Sequence, residues 1–254
     1  MRRDFATSAH LYAQLLDGPL AVRQAEDAHT LALRTAYALP LYNLADYEAG
    51  EIHLRRALGG QERLIGPNDP ATLTTLARLA DNLGEQGRWS EALALSRDAA
   101  ERAARLLGTE HESTLGARLT LAWVLLHTQP AEAEPLVRQT ARDIDTALGT
   151  RHGDIWAIHH LLSETLHALG RWEEAETEAR AVIAARQQHQ GAAHPYTLRA
   201  RADLADLALI LHSQGRTPEA RELIGELAAT CGRVLGEEHP CAVRVRANLA
   251  TIAG

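Results

Sequence analysis

The chain writes one nine-residue stretch again and again, and no other feature limits its fold as much. Residues 65–73 read IGPNDPATL. The stretch returns as LGTEHESTL from Leu107, LGTRHGDIW from Leu148, QGAAHPYTL from Gln190 and LGEEHPCAV from Leu235. Its glycines are Gly66, Gly108, Gly149, Gly191 and Gly236, at steps of 42, 41, 42 and 45 residues. A worn copy without the glycine, RQAEDAHTL, starts at Arg23. A period in this range belongs to arrays of stacked supersecondary units, none of which can bury its apolar face alone.

The stretch has a local physical meaning. Glycine after a run of helix formers stops a helix, because it enters the left-handed region at little cost. Pro70, Pro195 and Pro240 cannot continue a helix. Asp69, Asp154, Thr72, Thr114 and Thr197 are placed to accept from free N–H groups at the next helix start. Each copy therefore ends one helix and begins another. Between copies lies a shorter signal: Gly87-Arg88-Trp89-Ser90-Glu91-Ala92 recurs as GRWEEA from Gly170 and GRTPEA from Gly215. A degenerate version is Ala45-Asp46-Tyr47. From Tyr47, Trp89, Trp172 and Thr217 the next glycine position is 19 residues on each time. Each repeat is thus two helices of about four turns joined by a tight turn.

The LG-x-x-H-P-x-T-L loop, the L-A-x-x-L pattern at Leu79–Leu83 and the GRW-x-E-A turn resemble the tetratricopeptide family, in its 42-residue, kinesin-light-chain-like branch. The resemblance covers essentially the whole chain. It implies an all-α fold, an α-solenoid wound as a right-handed superhelix. About five helix-turn-helix repeats are expected, with half-repeats at both ends. Spacing assigns a half-repeat or cap helix to 1–26, repeats to 27–65, 66–107, 108–148, 149–190 and 191–235, and a capping helix to 236–254. Asp4–Ser8 reads as a worn turn, and Gly18-Pro19 as the end or a kink of the first helix. Pro40 suggests a kink in repeat one. Pro130 should open the second helix of repeat three, and Pro240–Ala253 forms the last helix. Leu76, Leu79, Leu83, Ala92 and Ala99 should be interior.

Composition narrows the function classes. A net charge of −7 with no basic run argues against nucleic acid as the direct partner. All 26 basic residues are arginine. Two cysteines, Cys231 and Cys241, are too few for a disulfide framework or a cysteine zinc site, which fits reduced thiols in the cytoplasm. No apolar run reaches spanning length, and Met1-Arg2-Arg3-Asp4 opens no signal peptide. There is no phosphate loop, GxSxG elbow, HExxH or CxxC, so the reading is non-catalytic, with no cofactor and no resident metal.

In the family the first helices of successive repeats line a groove that holds a partner's peptide, and the repeated loop histidine (His111, His152, His194, His239) holds consecutive helices. The matching groove residues are Arg78, Asp81 and Glu85, then Leu119, Trp123, Leu126 and His127, then His160, Glu164 and His167, and last Asp203 and Asp206. Leu39, Tyr42 and Asn43 precede them in repeat one. Aromatic and apolar groups sit at the centre with acids on the flanks, which favours a peptide carrying basic residues. Trp123 reads either as the anchor of that groove or as packing between helices. His160, Glu164 and His167 share one helical face, and with His127 could ligate zinc; a polar lining explains them equally. Trp89, Trp172 and Tyr47 read as wedges where two helices meet. Arrays of this branch also serve as sensor parts of bacterial regulators, so a regulatory, ligand-sensing domain is the alternative function. A divergent metal-dependent enzyme using the histidine-rich face is the remote one.

Overall fold

The computed structural model describes residues 2–17, 27–148, 153–190, 208, 209, 211, 212, 215–235, 237 and 240–253. Among them every regular element is an α-helix. In chain order they are α1 (Arg2–Asp17), α2 (Ala28–Asn43), α3 (Tyr47–Leu64), α4 (Pro70–Glu85), α5 (Trp89–Leu107) and α6 (Glu112–Thr128). Then follow α7 (Pro130–Leu148), α8 (Gly153–Ala168), α9 (Trp172–Gln190), α10 (Thr217–Leu235) and α11 (Pro240–Ala253). The chain divides into two compact units, Met1–Arg151 and His152–Gly254.

The punctuation residues end helices as their chemistry requires. Gly66 and Gly108 follow α3 and α5 with φ of 94° and 89°. Gly87, Gly170 and Gly215 stand in the turns before α5, α9 and α10 with φ of 74°, 74° and 81°. Ala45 holds the same turn before α3 at φ 61° without being a glycine. Asp27, Asp46 and Asp69 accept from the backbone N–H groups of Thr30, Ala49 and Ala71 at 2.7, 3.2 and 2.8 Å, capping α2, α3 and α4. His111 caps α6 in the same way, its Nδ1 accepting from the Ser113 N–H at 3.1 Å. That gives the loop histidine a structural task; His152, His194 and His239 lie outside the described residues.

Two sequence expectations need correction. Thr72 and Thr114 do not accept at the helix start. Their hydroxyls donate back to the carbonyls of Gly66 and Gly108, at 2.9 and 2.7 Å, so each closes the loop that its own repeat opens. Asp4–Ser8 is no turn, because α1 is continuous from Arg2 to Asp17 and ends before Gly18. Pro40 stands inside α2, which runs on to Asn43; so near the C-terminal end a proline removes a single backbone bond. Thr197 and the extra residues of repeat five lie outside the described residues, as does the side chain of Asp154.

Burial follows from packing each helix between neighbours. One cluster in the first unit joins Ala38 of α2, Leu54 of α3, Leu79 and Leu83 of α4, Ala92 of α5 and Val124 of α6. A second joins Leu76 and Ala77 of α4, Ala99 and Ala100 of α5 and Ala117 of α6. No hairpin owns this core. In the second unit Ile224, Leu227 and Cys231 of α10 pack on Ala242, Val245 and Ile252 of α11, with Ala208 and Leu211.

The arginine and glutamate of the GRxxEA turn form a fork. Arg88 donates to both Glu91 oxygens at 2.9 and 2.7 Å, Arg171 to both of Glu174 at 2.7 and 2.6 Å, and Arg216 to both of Glu219 at 3.0 and 2.5 Å. Arg88 also reaches both oxygens of Glu51 on α3 at 2.8 Å, and Arg216 reaches Glu176 on α9 at 3.4 Å. Arg88 and Arg216 thus tie their own second helix to that of the preceding repeat. An exposed pair contributes about 0.2–1 kcal/mol, so the periodic network specifies register more than it stabilises.

Candidate functional site

In the first unit the face formed by α2, α4 and α6 collects most of the groove residues. The Thr35 and Thr75 hydroxyls meet at 3.0 Å and the Tyr42 hydroxyl donates to Glu85 Oε1 at 2.6 Å, both joining α2 to α4. Tyr42 and Tyr47 meet edge to face, with ring centroids 5.6 Å apart. Burial, followed by the charges of Glu85 and Asp81, pushes both phenols above their ordinary range. Asp81 is half-buried one turn before Glu85. Desolvation first, and then the Glu85 charge, raise its carboxyl to about 7, against the opposing pull of Arg78. Arg78 is exposed, and its guanidinium makes one long bond, 3.5 Å to the Thr35 carbonyl.

Trp123 is half-buried between α4 and α6. Its ring lies over Gly84, where a Cβ would come within 2.4 Å of Cζ3 and 2.8 Å of Cη2. It meets Trp89 at 5.5 Å and His127 at 5.0 Å between centroids. The His127 ring stacks on Trp89 at 4.7 Å and 8°. Trp123 therefore packs against its neighbours and on the first core cluster while the residue stays half-buried. Leu119 and Leu126, four residues before and three after, are half-buried on the same helical face. Trp89 itself opens α5 and packs on the first core cluster, as the wedge reading expects.

The described histidines of the second unit each meet a different neighbour. His160 Nε2 lies 3.6 Å from Glu164 Oε1. His167 packs edge-on against Trp172 at 5.0 Å, and His159 meets Glu178 on α9 at 3.2 Å. His127 belongs to the first unit and is spent on Trp89. Among the described residues no group of three or more His, Cys, Asp or Glu is placed to hold a metal ion. Asp203 and Asp206 lie outside the described residues, as does the side chain of Trp156.

Sequence reasoning missed two residues that matter here. Gln61, in the stretch Gly59-Gly60-Gln61-Glu62-Arg63, is buried. Gly84, next to last in α4, is the seat of Trp123. A glycine inside an otherwise strong helical pattern was the available signal for the second; nothing in the pattern marks the first.

Family models for the tetratricopeptide repeat match residues 29–103, 78–143, 160–196 and 204–240. The chain belongs to the tetratricopeptide repeat family. Its fold is the all-α solenoid of that family. A Podosopora anserina protein with "kinesin light chain nearly identical TPR-like repeats" superposes with a TM-score of 0.65 at 23% identity, over 80% of this chain and 95% of that one. BtubC (BKLC) from P. vanneervenii gives 0.57 at 18% identity, over 100% of this chain and 91% of that one. A Rap protein complexed with Competence and Sporulation Factor gives 0.67 at 12% identity, over 91% and 66%. No curated protein sequence matches the chain. At these identities the superpositions speak for the fold. The tetratricopeptide fold is in general a protein-interaction scaffold and not a catalytic one. No helix among the described residues is long and apolar enough to cross a membrane.

Proposed function

We propose that this chain is a protein-interaction module whose α4–α6 face binds a peptide segment of a partner protein, and that the segment carries basic residues beside an apolar one. The observation that carries the reading is the Asp81–Glu85 pair. Two carboxylates one turn apart share a half-buried site, and the positive group acting on them is the exposed Arg78. Bringing like charges out of water costs free energy that an incoming cation recovers. Next to them Leu119, Trp123 and Leu126 offer apolar surface that the core only half covers. In fold this chain is similar to a Rap protein that was solved with Competence and Sporulation Factor bound.

A random-peptide display library panned on the whole chain tests this. Peptides rich in Arg or Lys near an aliphatic or aromatic residue should be enriched. Their affinity should fall about tenfold for the Asp81→Asn, Glu85→Gln double variant and weaken in high salt. Enrichment of acidic peptides, or equal affinity for the double variant, would refute the reading.

A further inference from the structure

One stripe of α4 carries two unlike surfaces. Ala71, Thr74, Arg78, Asp81 and Glu85 follow one another at steps of three or four residues, so they share a helical side, and each is exposed or half-buried. At one end is the Asp81–Glu85 pair. The other end borders a cavity of about 370 Å³ among α1, α2, α3 and α4. Tyr12 of α1, Ala36 and Leu39 of α2 and Ala71 of α4 give it apolar walls, and Leu39 is 54% exposed. Its hydroxyls are already engaged. Thr74 donates to the Pro70 carbonyl at 2.8 Å, and Thr35 meets the Leu31 carbonyl at 3.2 Å and the Thr75 hydroxyl at 3.0 Å. Gln61, also at the wall, is buried. Arg78 stands at the boundary: it lines the cavity, and its charge acts on Asp81.

We infer that this cavity is a second pocket of the peptide site, taking one bulky apolar side chain of the partner segment about four residues from the basic residue at Asp81 and Glu85. The inference rests on the peptide reading and adds an anchor and a spacing to it. The occupant follows from the walls. An aliphatic or aromatic side chain covers Leu39 and meets apolar surface on α1, α2 and α4. A basic one would face the Arg78 guanidinium, with no acidic side chain among the described walls to balance it. Charge thus sorts the segment: its cation passes beyond Arg78 to the acid pair, and its apolar residue stays short of it. The volume lies at the lower end of what small-molecule pockets span, which suits a single large side chain. The spacing follows from the helix. Thr74 and the middle of the acid pair are about nine residues apart on α4, or about 13 Å at the helical rise, which an extended segment spans in about four residues.

Fluorescence anisotropy on the full chain tests this. The probes are labelled peptides capped at both ends, each with one arginine and one tryptophan in a Gly-Ser background, the tryptophan moved through every position on either side of the arginine. Affinity should peak with the two about four residues apart, about tenfold above the peptide with alanine in place of the tryptophan. Leu39→Ser, at an exposed position, should lose that peak and keep the thermal midpoint. Ala36→Leu, which fills the cavity, should lose the peak as well. Both variants should still prefer arginine to glutamine at the charged position, which the Asp81→Asn, Glu85→Gln double variant should not. Arginine-dependent binding with no preferred spacing, or a peak that survives in either variant, would overturn the second pocket and leave the peptide reading standing. Arginine-independent binding, or no binding up to about 1 mM, would overturn both.

Discussion

Asp81 is a carboxylic acid whose ionisation the fold resists, and that resistance has a sign. Its folded carboxyl titrates near 7, well above the ordinary value of 3.8, because burial and Glu85 disfavour the charge. The unfolded chain loses that proton near pH 4, so it binds fewer protons than the folded chain up to about pH 7. Stability contributed at this site is therefore full below pH 4 and declines as pH rises to about 7. Asp81→Asn should stabilise the protein at pH 8, by about 1–2 kcal/mol once solvent screening at a half-buried site is allowed for, and much less at pH 4. Urea unfolding of both proteins at the two pH values measures it; an equal difference at both would mean that the charge is not what matters. Ala45 carries a different cost. It sits at φ 61° in the turn where later repeats use Gly87, Gly170 and Gly215. Left-handed backbone costs a residue with a Cβ roughly 1–2 kcal/mol. Ala45 is exposed and has no packing to lose, so Ala45→Gly should raise the unfolding free energy by about 1 kcal/mol, with part of the gain offset by the freer unfolded chain.

At the scale of the helix, the ends were legible in the sequence because they are built from residues with one physical option. Gly66, Gly87, Gly108 and Gly170 take positive φ, Asp69 caps, and Pro130 and Pro240 open helices. What helices do to each other was harder to read. The helical period puts Trp123 on the face with Leu119 and Leu126, but period cannot say what stands across from it. The partner is Gly84, on a helix 39 residues earlier. Its missing Cβ is the space that the indole fills. Gly84→Ala weighs helix propensity against that space. A Cβ within 2.4 Å of Trp123 Cζ3 must displace a side chain also held by Trp89 and His127. Overpacking of this kind costs about 1–3 kcal/mol, and the propensity gain at the penultimate position of α4 is under about 1 kcal/mol, so the steric term wins. The variant should melt lower and show an altered near-ultraviolet circular dichroism signal from the displaced indole. An unchanged spectrum with a higher melting point would mean that Trp123 yields without cost.

Across the whole molecule, each helix is held by the ones beside it, so a change at one end should be felt within its own unit. α11 shows the dependence most plainly. Val245, Ile252 and Ala242 cover Ile224, Leu227 and Cys231 of α10, and the Ile252 carbonyl accepts from Arg221 at 3.2 Å. Covering a valine or isoleucine contributes about 1.5–3 kcal/mol each, so the second unit without α11 loses much of what holds α10 down. The clusters around Leu79, Leu83 and Leu76 contain no residue from α10 or α11 and should not respond. A chain ending at residue 239 makes this measurable, because Cys241 is removed with the helix and Cys231 becomes the only thiol. Cys231 is fully buried, so in an intact chain carrying Cys241→Ser it should react with a thiol reagent slowly. In the shortened chain it should react at least tenfold faster, since labelling follows the population of open states. Amide exchange along α4–α6 should stay as slow as in the intact chain, because the nearest-neighbour core of the first unit is unchanged. Faster exchange there would show that stability in this chain is shared across the two units and not held repeat by repeat.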